Sequence, residues 1–312
     1  MKSSSDNTAL DLAEHVIVKP MTVHIGAEIS GVDLTAPLTE EEIYSIRQAL
    51  LRWKVVFFRQ QELTHSQHIA FARQFGDITP AHAVFGGDSE YPEIYPVTRG
   101  RTAFAARPAA LRPWTDWHTD VTAAINPPFA SILRGVIVPP FGGDTHWCNT
   151  QLAFSELSST MQKFVSTLRC IHGFKTASDR DKADDYNQSV QRNPLSAEHP
   201  LVTVHPETGV PSLYATQEFT QEVVGLTARE SELLLEYLWE HCIQSRYCVR
   251  FKWEPGSIAF WDNRSTQHQA IRDVYDTDFE REFYRVTLNG EIPVGVDGQP
   301  SRHISGRPIV PH

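Results

Sequence analysis

Two short stretches, far apart in the chain, hold side chains that together could bind a redox metal. They are Trp117-His118-Thr119-Asp120 and Asn263-Arg264-Ser265-Thr266-Gln267-His268. Side chains alternate along an extended strand, so a histidine and a carboxylate two apart project from one face. A second histidine beside them completes a set of two imidazoles and one carboxylate. Such a set covers one face of an octahedral ion, leaves the other face open, and marks non-haem Fe(II) oxygenases. A His-x-Asp alone says little in a chain with 14 histidines and 38 acids, where a surface ion pair accounts for many such matches. Here both stretches lie among apolar runs and turn residues, and further polar residues fall in register with them. His118, Asp120 and His268 are therefore the predicted metal ligands.

The elements that must bring these residues together are short. Residues 16–38 read as strands and turns broken by Gly26 and Gly31. Capping boxes at Thr39–Glu42, Thr64–Gln67, Ser159–Gln162 and Thr227–Glu230 predict helices. Gly76 is placed as the C-cap of the second of these. The third is predicted to bury Met161, Phe164, Val165 and Leu168. Strands are predicted around His118 and Asp120 and over 54–58, 129–138, 249–253, 257–263 and 281–288, with a hairpin joining 201–205 to 212–214. Gly142 and Gly143 permit a tight turn that delivers Thr145 into a strand. On the last strand Arg281, Arg285 and Thr287 share a face. Surface salt bridges are the plain reading, but inside a barrel such arginines need an anionic partner. Residues 77–116, with Arg99, Arg101, Arg107 and Arg112, and residues 175–200 read either as solvated loops or as lids. The predicted fold is mainly β with helical decoration around a double-stranded β-helix (jelly roll) core. The predicted organisation is one domain over 16–312 behind a disordered tail at 1–15.

The whole chain narrows the function classes. Its 312 residues can bury a sizeable core, and 41% hydrophobic with 21% charged residues is ordinary for a globular protein. No apolar run approaches the ~20 residues of a membrane span, and no apolar h-region follows Met1-Lys2-Ser3. A net charge of −10 argues against nucleic acid as a partner. Cys148, Cys170, Cys242 and Cys248 lack zinc-like spacing and read as idle thiols in a reducing cytoplasm. A cytoplasmic homo-oligomer, dimer or tetramer, is expected.

Several further pieces occur in order: Trp117 to Thr122, Pro127-Pro128, Gly142-Gly143-Asp144-Thr145-His146-Trp147, His205-Pro206-Glu207-Thr208-Gly209, Trp261 to His268, and Arg281 with Arg285. Ile25 to Val32 and Val55 to Arg59 precede them. Together they resemble the iron- and 2-oxoglutarate-dependent dioxygenases of the taurine dioxygenase family, from about residue 17 to about residue 308. Within that family the tail Gly298-Gln299-Pro300-Ser301-Arg302-His303-Ile304-Ser305-Gly306 resembles the bacterial alkylsulfate dioxygenases.

The resemblance implies roles where residues match. His118, Asp120 and His268 would hold Fe(II). Thr145 and Arg281 would bind the distal carboxylate of 2-oxoglutarate, and O2 would be the second co-substrate. Arg285 would take the sulfonate or sulfate of a small anionic substrate, and Phe219 would wall the pocket. Trp114 stands where the taurine enzyme has an asparagine for the amine, which points to a larger, more apolar substrate than taurine. The substrate histidine falls on His82 or on Ala81, because loop lengths differ. Turnover would yield succinate and CO2 and hydroxylate an unactivated C–H. A sulfate ester hydroxylated beside its ester oxygen would collapse to an aldehyde and sulfate. Related halogenases lack the carboxylate, so Asp120 implies oxygenation. Two alternatives stand beside this. One is a biosynthetic hydroxylase or desaturase acting on an amino acid or aromatic carboxylic acid, with Arg285 on a carboxylate. The other is a non-catalytic metal-binding jelly roll, although structural zinc would need a fourth ligand.

Overall fold

The computed structural model describes residues 12–84, 86–88, 90–99, 117–174, 183–274 and 277–312. In chain order the first elements are β1 (Ile17–Pro20), β2 (Ala27–Ser30), α1 (Glu40–Trp53), β3 (Val55–Phe58), α2 (His65–Arg73), β4 (Tyr95–Arg99) and β5 (Ala130–Ile137). Then come β6 (Thr145–Asn149), α3 (Thr150–Ser155), α4 (Ser159–Val165), β7 (Arg169–Gly173), α5 (Ala183–Arg192), β8 (Ser196–Pro200), β9 (Val202–Val204) and β10 (Pro211–Leu213). The last are β11 (Thr220–Val223), α6 (Ala228–Cys242), β12 (Cys248–Phe251), β13 (Ile258–Asp262), β14 (Thr266–Ala270), β15 (Arg281–Leu288) and β16 (Arg302–Ser305). A seven-stranded sheet runs β1-β2-β3-β13-β5-β15-β4, and a three-stranded sheet runs β12-β6-β14. A four-stranded sheet, β11-β7-β8-β16, and the β9-β10 hairpin complete the sheets among the described residues.

The central strands read as unbroken apolar runs because both of their faces are covered. On one face Val56, Phe58, Ile132, Phe260 and Val286 pack beneath Ile46 and Leu50 of α1 and Phe71 of α2. On the other, Val55, Phe57, Leu133, Ala259, Trp261 and Phe283 meet Trp147, Val249 and Phe251 of the three-stranded sheet. These two sheets enclose the core of the jelly roll. Phe57 stacks on Phe251 with ring centroids 4.0 Å apart and meets Trp147 edge-on at 5.3 Å. Truncating such a buried phenylalanine to alanine costs about 3–5 kcal/mol, so Phe57→Ala would loosen both sheets. No helix among the described residues is long and apolar enough to cross a membrane.

The capping boxes at Thr39, Thr64 and Thr227 are formed as predicted. The third prediction needs correction. The N-cap of α4 is Ser158, whose hydroxyl accepts from the Met161 N–H at 3.2 Å, and Ser159 is the first helical residue. Val165 is buried as expected and Met161 and Leu168 pack against the core, but Phe164 is 44% exposed. Gly76 is not a C-cap, since α2 ends at Arg73 with Gln74 as its cap. Its need is space, because a Cβ there would meet the Phe129 ring at 3.1 Å. Part of each expected lid is regular: 95–99 is the edge strand β4, and 183–192 and 196–200 are α5 and β8. Residues 77–94 are irregular where described, and 85, 89, 100–116 and 175–182 lie outside the described residues, Trp114 among them. Residues 12–15, expected in the tail, are held against α1: the Ala13 N–H donates to Ser45 Oγ at 2.8 Å, and His15 pairs with Glu42 at 2.9 Å.

Candidate active site

The segment carrying His118 and Asp120 is not the continuous strand its alternation suggests. His118 makes a single antiparallel bridge to His268 of β14, and the chain turns at Asp120. The two histidines exchange both backbone bonds: His118 N–H to His268 O at 3.0 Å and His268 N–H to His118 O at 2.7 Å. Such a pairing sets the side chains on the same side of the ladder, and the imidazole centroids lie 4.2 Å apart. The Thr119 hydroxyl donates to Thr266 O at 2.7 Å and pins the next residue. Val121 then adopts φ 51°. Left-handed backbone at a β-branched residue costs about 1–3 kcal/mol and persists only where the surroundings impose it. Here it swings the chain away just after Asp120, so the carboxylate joins the histidines.

One donor atom each from His118, Asp120 and His268 lie within 4.8 Å of one another. Burial opposes ionisation of Asp120, but the Arg285 guanidinium and the Ser131 hydroxyl outweigh it and hold the carboxyl below its usual range. Arg285 Nη1 donates to Asp120 Oδ1 at 2.5 Å, and Ser131 Oγ donates to Oδ2 at 2.6 Å. Burial, reinforced by His118, holds His268 neutral. Its Nδ1 is buried with no hydrogen-bond partner among the described residues. A neutral imidazole, an ionised carboxylate and a buried nitrogen awaiting a partner fit a divalent cation of the Fe(II) type.

Around this set stand a cation and aromatic rings. The Arg285 guanidinium lies 5.1 Å from the ring centroid of Tyr95, its neighbour across β4 and β15. His82, rather than the buried Ala81, faces this side: its ring lies 5.1 Å from Tyr95 and 6.4 Å from Phe174. Burial and the charge of Arg285 push its pKa down to about 3. Phe219 lies 6.4 Å from the His118 ring and edge-on to Phe174 at 5.2 Å.

Thr145 and Arg281 are linked through two aromatics. Gly142 and Gly143, with φ 75° and 71°, turn the chain into β6, where Thr145 is the first residue. Trp253 Nε1 donates to Thr145 Oγ1 at 3.0 Å. Because an indole N–H can only donate, the Thr145 hydroxyl keeps its own proton to give elsewhere. Trp253 meets Phe283 edge-on at 4.9 Å, and the Arg281 guanidinium lies 3.9 Å from the Phe283 centroid.

Sequence reasoning missed several residues here. Tyr95 and Phe174 sit in or beside stretches read as loops, with no periodic signal to mark them. Ser131 and Asn263 were seen only as strand residues. Asp262, His205, Arg264 and Glu207 belonged to quoted motifs without a role. In the structure they form a second buried cluster: Asp262 accepts from His205 Nε2 at 2.9 Å, Arg264 Nε at 2.9 Å and Arg264 Nη2 at 2.7 Å. Glu207 and Arg47 continue it toward the surface.

A family model described as "Taurine catabolism dioxygenase TauD, TfdA family" matches residues 17–287. An alpha-ketoglutarate-dependent sulfate ester dioxygenase from Pseudomonas putida is 37% identical over 307 residues, 95% of this chain and 98% of that protein. An alkylsulfatase from Acinetobacter baylyi is 35% identical over 289 residues, 90% of this chain and 87% of that one. The crystal structure of a taurine dioxygenase from Burkholderia xenovorans superposes with a TM-score of 0.82 at 52% identity, over 94% of this chain and 96% of that one.

Proposed function

The chain belongs to the taurine catabolism dioxygenase TauD, TfdA family and is an Fe(II)- and 2-oxoglutarate-dependent dioxygenase. On that premise we propose that it oxidises a small sulfur anion, an alkyl sulfate ester first and a sulfonate second, with His118, Asp120 and His268 holding the metal. The observation that carries the substrate side is Arg285. A half-buried guanidinium contacts Asp120 at 2.5 Å, beside the Tyr95 ring and His82, and so brings a fixed positive charge to the edge of the metal set.

Bound iron supplies, with 2-oxoglutarate and O2, the power to hydroxylate an unactivated C–H while 2-oxoglutarate leaves as succinate and CO2. The side chains do the rest. Arg281 and the Thr145 hydroxyl grip the distal carboxylate of 2-oxoglutarate. Arg285 turns its planar fork to the sulfate oxygens, which a guanidinium matches bidentately. His82 and Phe219 border the substrate, with Phe174 behind Phe219, and keep water from its carbon. Oriented by its sulfate, the ester presents the carbon bearing the ester oxygen. Hydroxylation there yields a hemiacetal-like sulfate that collapses to aldehyde and sulfate.

The names of the relatives divide over substrate. The sulfate ester dioxygenase and alkylsulfatase favour an ester, whereas the 52% identity to a taurine dioxygenase favours taurine. Trp114, in place of an amine-binding asparagine, supports the ester. The test is a panel of medium-chain alkyl sulfates, alkyl sulfonates, taurine and carboxylic acids, with succinate, sulfate and sulfite measured together. Succinate matched by sulfate from alkyl sulfates supports the reading. Sulfite from taurine as the main product supports the second. Succinate formation with a carboxylic or amino acid alone overturns both.

The same proposal includes one catalytic domain over 16–312, a cytoplasmic setting and a dimer or tetramer. All four cysteines are free thiols, as a reducing compartment leaves them. Sedimentation velocity reads the assembly directly.

A further inference from the structure

We propose that Ser131 is a positioning residue for Asp120, and that its orientation is set by a one-way chain of hydrogen bonds beginning at Trp261. Four side chains form the chain, and none is more than 2% exposed: Trp261, Asn263, Ser131 and Asp120. Trp261 Nε1 lies 3.0 Å from Asn263 Oδ1, Asn263 Nδ2 lies 2.9 Å from Ser131 Oγ, and Ser131 Oγ lies 2.6 Å from Asp120 Oδ2.

The direction follows from what each group can do. An indole N–H donates and never accepts. Asn263 must therefore turn its carbonyl oxygen toward Trp261, which points its NH2 at Ser131. Ser131 Oγ accepts that bond, so its single proton is left for the carboxylate. At each link the donor faces Asp120. Were the amide reversed, the indole would meet an NH2, and a buried donor left without an acceptor costs about 1–3 kcal/mol. The starting point is itself immobile. Trp261 pairs with Ser131 across β13 and β5, and packs edge-on against Trp147 at 5.6 Å.

The two donors on Asp120 differ in kind. Arg285, on Oδ1, is a long side chain that the proposed reaction also needs for the substrate. Ser131, on Oδ2, is short, fully buried and anchored through the sheet. Ser131 therefore keeps the carboxylate plane aimed at the two imidazoles whichever way Arg285 points. Hydrogen-bond partners of a metal ligand commonly control metal affinity by 10–100-fold.

The test is direct metal binding, which does not depend on the substrate assignment. Full-length protein is stripped with a chelator and titrated with Mn(II) by electron paramagnetic resonance. The visible absorption of the Co(II)-loaded protein reports the ligand geometry. Ser131→Ala is expected to weaken Mn(II) binding about 10–100-fold and to alter the Co(II) spectrum. Asn263→Ala and Trp261→Phe, which touch neither the metal nor the Asp120 carboxylate, are expected to shift both readouts in the same direction by smaller factors. Ser131→Thr restores the hydroxyl and is expected to recover affinity and spectrum. Unchanged affinity and spectrum in Ser131→Ala would overturn the positioning role. Loss in Ser131→Ala with no change in Asn263→Ala and Trp261→Phe would overturn the chain behind it.

Discussion

The chain buries the same three side-chain types twice, with different results. At one site His118, His268, Asp120 and Arg285 meet; at the other, His205, Asp262 and Arg264. In both, burial opposes ionisation of the aspartate and a neighbouring guanidinium overcomes it. The difference lies in closure. Asp262 accepts from His205, from two guanidinium nitrogens of Arg264 and from the Arg264 backbone N–H at 2.9 Å. His205 is also closed, since its Nδ1 accepts from the N–H groups of Glu207 and Thr208, each at 3.2 Å. That tautomer leaves Nε2–H for Asp262, and no lone pair of His205 remains to take a metal. At the first site His268 Nδ1 has no partner among the described residues, and the donor atoms of both histidines converge with that of Asp120. A His–Asp–Arg cluster is thus structural when its lone pairs are consumed internally. It is a candidate catalytic centre when some are left converging on one point.

This contrast can be broken most severely at Asp120. His118→Ala and Asp120→Ala are expected to abolish 2-oxoglutarate turnover while the urea midpoint moves little; normal succinate formation by both variants would remove the site. Next comes the closed cluster. Asp262→Ala leaves Arg264 and His205 buried without their carboxylate, and breaking such a pair costs about 3–5 kcal/mol. Urea denaturation should show that loss, and a shift below about 1 kcal/mol would mean the cluster is not the lock described here.

The two arginines of β15 sharpen the comparison within one strand. Arg281→Gln is expected to raise the 2-oxoglutarate KM about tenfold or more, because hydrogen bonds to charged groups contribute about 1.5–3 kcal/mol. Arg285→Lys keeps the charge but loses the fork, so substrate KM should rise more than 2-oxoglutarate KM. Equal effects on both would show that the strand does not divide the two ligands.

A separate test is acid sensitivity away from both clusters. Burial pushes His68 down to about 3 and His199 down to about 4, from an ordinary 6.5. Both are neutral in the folded chain, while the unfolded chain protonates them below pH 6.5. The unfolded state therefore binds more protons in this window, and stability rises with pH. From pH 6.5 down to about 4 each histidine should remove up to about 1.4 kcal/mol per pH unit. Urea midpoints between pH 7 and pH 5 measure it, and His68→Leu should flatten the slope. An unchanged slope would place the acid sensitivity elsewhere.

Much of this was legible in the sequence because local chemistry and global fold agree there. Val55-Val56-Phe57-Phe58 reads as a doubly covered strand, and Thr39–Glu42 reads as a helix start. Gly142-Gly143 reads as a turn, and each does what it announces. That His118, Asp120 and His268 could converge was legible from residue type, yet the local geometry that brings them together was not. Val121 φ 51° is imposed by tertiary contacts, and nothing in a valine signals it. Cross-strand partners were equally hidden. That Tyr95 sits beside Arg285, or that Ser131 reaches Asp120, depends on register between strands far apart in the chain. The α4 cap lies one residue earlier than expected because Ser158 and Ser159 are both competent caps, and local sequence alone does not choose between them.

The most direct measurement is a side-by-side Mn(II) titration of the metal-stripped wild type, Asp120→Ala and Asp262→Asn. The open-cluster account predicts one site in the wild type, no comparable site in Asp120→Ala, and wild-type affinity in folded Asp262→Asn. Wild-type affinity in Asp120→Ala, or loss of binding in folded Asp262→Asn, would contradict it.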